Sequence, residues 1–160
     1  MRNTNVLQKG LFLLFISLLS FQSAHATKVQ MTNLDRVNFI LLLNEKMHKS
    51  YFVYNENNIF TLAKNMNSEI SKLKKSKLKS DLMKNSLSKL KMGVSRKKAN
   101  FIYHRFSLKL MKLVKKYNKL KTYREYYCPM VRKSWVQNIL KIKEVQNPYA
   151  PNMKNCGRII

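Results

Sequence analysis

From Leu34 to Leu120 the chain carries no proline, and its apolar residues recur three and four positions apart. Only a 3.6-residue repeat gathers such positions onto one side, so this stretch is restricted to amphipathic helices packed on one another. Leu34, Val37, Ile40, Leu41, Met47 and Tyr51 mark a first helix, with Thr32 or Asn33 placed to cap it. The polar break from Tyr54 to Asn58 separates it from a second, marked by Ile59, Leu62, Ala63, Met66, Ile70 and Leu73. Leu78, Leu82, Leu87 and Leu90 define a shorter third helix, which Gly93 stops. The fourth is the clearest, running through Ala99, Ile102, Tyr103, Phe106, Leu110, Leu113, Tyr117 and Leu120. Four such helices on short polar connections predict an all-α fold, an up-and-down four-helix bundle over residues 27–121.

At Thr122 the pattern changes. All three prolines of the chain, Pro129, Pro148 and Pro151, lie beyond it together with Gly157. Proline fixes its own backbone and restricts the residue before it, so most of this stretch is expected to be irregular. Tyr123 to Tyr127 reads as a short extended segment, and Trp135 to Val145 as a helical turn or two. Residues 122–160 are therefore expected to form a tail packed on the bundle within the same domain. Tyr127, Trp135 and Tyr149 are its expected anchors, and Pro129, Asn147, Pro148 and Gly157 shape it.

The N-terminus determines what environment the tail's cysteines meet. Arg2 and Lys9 precede the apolar run Leu11–Leu19, and Ser23-Ala24-His25-Ala26 supplies a small-x-small cleavage pattern. This predicts a secretory signal peptide over residues 1–26, removed near Ala26, and a periplasmic or secreted mature chain. The run is too short for a stable membrane anchor, which needs about 20 residues. Loss of Arg2 and Lys9 lowers the formal charge from +25 to +23. Such a surplus favours anionic partners, whether lipid surfaces, acidic proteins or nucleic acid. Nucleic acid is disfavoured because no base-stacking or groove-reading motif accompanies the charge. The abundance of Lys and Asn also fits a bias toward A-rich codons.

Cys128 and Cys156 are the chain's two cysteines, and each has a methionine nearby, Met130 and Met153. Two chemistries are open to them. In an oxidising compartment the pair is expected to form a disulfide. As thiolates, with the two thioethers beside them, they would instead suit a soft closed-shell cation such as Cu(I) or Ag(I). His104 or His48 could add an imidazole, although both sit among basic residues that repel a cation. The seven acids are scattered, and there is no Ser-His-Asp set, phosphate-binding Gly-rich loop or His-x-x-x-His pair, so no enzymatic activity is expected.

The elements "YYCPM", Trp135, "VQNPY", Met153 and Cys156-Gly157 resemble the C-terminal signature of the bacterial family called domain of unknown function 3347. Upstream, "HRFSLKLMKLVKKYN" is similar to that family's preceding helix, with Arg105, Phe106 and Ser107 as the approximate match. Here only "VRKS" separates Met130 from Trp135, and Ala150-Pro151 stands where the family has a glycine. The resemblance implies an exported domain associated with CusB-type copper and silver efflux proteins. On that basis the expected function is a non-enzymatic periplasmic binding module linked to heavy-metal handling, with Cys128, Met130, Met153 and Cys156 as ligands and an efflux component or other envelope protein as partner. The alternative is a disulfide-stapled basic protein that docks to anionic envelope components or to another protein.

Overall fold

Thr32 starts the first helix with a reciprocal cap. Its hydroxyl accepts from the Asp35 N–H at 3.1 Å, and the Asp35 carboxylate accepts from the Thr32 N–H at 3.0 Å. Helix α1 (Asn33–Val53) ends where Tyr54 turns into the left-handed region at φ 50°. Asn55 caps α2 (Glu56–Ser71) by accepting from Asn58 N–H at 3.0 Å. Helix α3 (Lys77–Lys84) has only eight residues and is followed by a single 3-10 turn over Leu87–Lys89. Gly93 at φ 76° and the cap residue Ser95 then lead into α4 (Arg96–Lys116).

Strands β1 (Tyr123–Cys128) and β2 (Lys133–Asn138) form an antiparallel hairpin, and β3 (Arg158–Ile159) adds to the other side of β1, giving the order β2-β1-β3. The computed structural model describes residues 30–84 and 87–160, and Met31–Ile160 cluster as one compact unit. The expected signal peptide, residues 1–26, lies outside the described residues.

The expectation of an all-α bundle is overturned: four helices are joined by a three-stranded antiparallel sheet, so the architecture is mixed α/β. The third helix is too short to act as an equal member of a bundle. The fourth stops at Lys116, before Leu120, and Leu34 sits on the exposed side of α1 rather than among its buried residues.

The expected helical turns at Trp135 also give way, because Trp135 to Asn138 belong to β2. The physical reason is burial on both faces. Ser134, Trp135, Val136, Gln137 and Asn138 are all buried, so the polar/apolar alternation that identifies a half-exposed strand is missing. The sheet packs through β2 mainly on α4 and also against α1. A single apolar cluster runs from Ile40, Met47 and Tyr51 of α1 through Phe106 and Leu110 of α4 to Cys128, Trp135 and Val136 of the sheet.

Candidate functional site

Cys-Pro-Met marks the point where a strand ends. Cys128 is the last residue of β1 and pairs with Lys133, leaving Pro129 to Arg132 as the hairpin loop. Proline has no N–H, and here the ladder requires none. Arg132 closes the loop at φ 52°. Met130 stands at the tip, 72% exposed.

The Cys128 side chain, fully buried, is bonded to Cys156 with an S–S distance of 2.10 Å and a Cα–Cα distance of 5.5 Å. Of the residues singled out in the sequence, these two are brought into covalent contact. Met153 lies in the loop leading to Cys156, where Pro151 to Cys156 line an open hollow of about 420 Å³.

Trp135 is the centre of the docked tail. Its ring stacks on Tyr126, its cross-strand partner, at 5.6 Å, and meets Tyr149 edge-on at 6.2 Å. Tyr149 continues to Tyr103 at 5.8 Å, and Tyr103 stacks on Tyr51 at 4.4 Å, so an aromatic series links the sheet to α4 and α1. Tyr127, expected as an anchor, is only half-buried, and its neighbour Tyr126 takes that place.

Gly157 is required by close approach: a Cβ there would stand 2.5 Å from the Trp135 ring and 3.0 Å from Val145. Gly157→Ala is therefore expected to lower stability by about 1–3 kcal/mol through overpacking. Urea unfolding followed by fluorescence of Trp135, the sole tryptophan, measures this; an unchanged midpoint would contradict the contact.

Polar side chains complete the tail. The Asn147 amide donates to Cys156 O at 3.1 Å and its carbonyl accepts from Tyr149 N–H at 3.0 Å, while Pro148 beside it is buried. Gln137 accepts from the Trp135 indole N–H at 3.2 Å and from Gln146 N–H at 3.1 Å, and donates to Ile142 O and Glu144 O at 3.2 and 2.7 Å. Glu45 on α1 accepts from Tyr123 O–H, Asn138 and Lys141 at 2.6, 2.7 and 2.7 Å. Burial pushes the Glu45 carboxyl upward, but the bonds from Lys141, Tyr123 and Asn138 outweigh it and hold the group below its ordinary range. Sequence reading missed Glu45, Gln137 and Asn138, whose partners lie on other elements.

The outer edge of β2 is closed by side chains from elsewhere. His104 Nδ1 accepts from Ser134 N–H at 2.9 Å, Tyr149 O–H donates to Ser134 O at 2.8 Å, and Asn44 donates to Val136 O at 3.1 Å. Asn44 in turn accepts from Tyr103 O–H at 3.0 Å. The Nδ1 of His104 is thus an acceptor, with its proton on Nε2. Burial lowers its pKa, the Ser134 carbonyl 3.4 Å from the same nitrogen opposes this, and Lys133 and Arg105 lower it further. His48 is buried inside α1's packed face, and neither ring nitrogen has a partner of ordinary hydrogen-bond geometry.

Neither histidine joins the cysteines, and among the described residues no three His, Cys, Asp or Glu side chains gather as a metal site. With both thiols in a covalent bond, the oxidised chain offers a soft cation the thioethers of Met130 and Met153 and no thiolate. The four-sulfur set does not fit Cu(I) or Ag(I) in this state.

In comparisons with known proteins, no family model, curated protein or solved structure matches the chain. The resemblance named above rests on its quoted residues. Among the described residues no helix is long and apolar enough to cross a membrane.

Proposed function

We propose that this chain is a disulfide-stapled, basic, non-enzymatic interaction module of the cell envelope that docks to an acidic partner. The observation that carries this reading is where the negative charges go. Asp35 caps α1, Glu45 holds Tyr123, Asn138 and Lys141, Glu56 accepts from Gly93 N–H, Glu69 pairs with Arg36 and Lys72, and Asp81 pairs with Lys112. The fold engages five of its seven carboxylates internally, buries Glu125 in β1 and leaves Glu144 alone exposed without such a bond, while the lysine surplus faces outward. Such a surface attracts and orients an anionic partner, and the effect weakens with salt.

Binding of polyglutamate by the oxidised protein, weakening steeply as salt rises, is the expected result, with polylysine as the inert control. No binding at low salt would remove the reading. A Cu(I) competition on the same sample covers the role implied by the resemblance. Retention of Cu(I) by the oxidised chain, lost in Met130→Ala and Met153→Ala, would replace docking with metal handling.

A further inference from the structure

Helix α1 is apolar on two sides. Val37, Ile40, Leu41 and Met47 face the core, yet Phe39, Leu42 and Val53 are 40%, 37% and 70% exposed. These three fall into one row with Lys46 and Lys49, at positions 39, 42, 46, 49 and 53, a 3-4-3-4 spacing that forms a straight stripe about 21 Å long at 1.5 Å per residue. Along its C-terminal half the stripe borders a groove of about 450 Å³ between α1 and α2, where Lys46, Lys49 and Val53 face Leu62 and Thr61. No carboxylate lines that groove.

We infer that this face seats an amphipathic helix of a partner protein, one with apolar residues toward both ends of its own stripe and carboxylates at the centre. The inference rests on the docking function proposed above and specifies its surface and partner. Three observations select this occupant. The heptad-like spacing is the register in which one helix receives the side chains of another. The ammonium groups occupy the middle of the stripe, so the complement must bring negative charge there and apolar groups at either end. A second copy of this chain does not supply it: Asp35, Glu45, Glu56, Glu69 and Asp81 are engaged within the fold, Glu125 is buried in β1, the exposed Glu144 is a lone carboxylate outside any helix, and two chains of +23 repel. A lipid leaflet would match the charge but has no use for a groove between two helices.

The probe is a synthetic helix with leucines at the outer positions of a 3-4-3-4 stripe and glutamates at its two central positions, titrated by fluorescence anisotropy against the full oxidised chain. Binding is expected. Lys46→Glu with Lys49→Glu should weaken it more than about tenfold, and a peptide carrying central lysines should bind that variant instead. Leu42→Asp, on an exposed position, should also weaken binding while Trp135 fluorescence stays native.

Equal affinity for the wild type and the charge-reversed chain would overturn the inference. Polyglutamate separates the two levels: if it binds while the peptide does not, the α1 face is excluded and general anionic docking stands; if neither binds, both fall. Vesicles of phosphatidylglycerol that bind the wild type but not the charge-reversed chain, with the peptide unbound, would assign the face to a lipid surface and overturn the helical partner.

Discussion

Cys128→Ala combined with Cys156→Ala is expected to lower unfolding stability by about 3–4 kcal/mol. The bridge spans 28 positions, and closing a loop of that length restricts the unfolded chain by about this much in the loop-entropy account. The folded side also contributes to the effect. The segment beyond β2 is held to the sheet and to itself by single side-chain contacts, Gln137 to Glu144 O, Asn147 to Cys156 O and Tyr149 to Ser134 O, and without the bridge these must form from a longer-tethered segment. The measurement is urea unfolding of oxidised, reduced and Ala/Ala protein, together with limited proteolysis of residues 139–157. Coincident midpoints for all three would show that the bridge contributes nothing to stability. Because Cys128 is fully buried while Cys156 is half-buried beside the open hollow, reductant attack on the native protein is expected at the Cys156 sulfur.

Acidification should destabilise the fold through His48. Burial lowers the pKa of this histidine from 6.5 to about 4, against a small opposing effect of the Gln146 backbone. Between those two values the unfolded chain binds the proton and the folded chain does not. The contribution of neutral His48 is therefore intact above about pH 6.5 and lost progressively as pH falls toward 4, by roughly 3 kcal/mol. His104, also lowered, acts in the same direction, so the comparison is between wild type and His48→Met across this range. The variant should show the shallower slope and, with no imidazole left without partners, equal or greater stability at pH 7. Parallel slopes would mean that His48 reaches water in the folded protein.

The helices could be read from the sequence because each buries one side and exposes the other, and their caps lie within three residues of the ends they serve. Thr32, Asn55 and Ser95 all act locally. The sheet could not be read, because its stabilising partners lie far away in the chain: Asn44 is 92 residues from Val136, and Glu45 is 93 from Asn138. A strand whose polar residues are buried against such distant groups presents no period. The proximity of Cys128 and Cys156 was anticipated from their being the chain's only two cysteines, whereas the central role of Gln137 had no local signal at all. Phe39 and Leu42 were passed over for the opposite reason, since an apolar residue beside an apolar stripe looks like part of the core.

The three side chains that occupy the rim of β2 come from α1, α4 and the tail. A foreign strand seeking that rim would have to displace His104, Tyr149 and Asn44 together, so edge-to-edge pairing through β2 is blocked as long as all three segments remain assembled. The same arrangement makes partial damage hazardous: unlatching the tail alone would withdraw Tyr149 and free Ser134 O on the rim, and self-association should begin there before the helices melt.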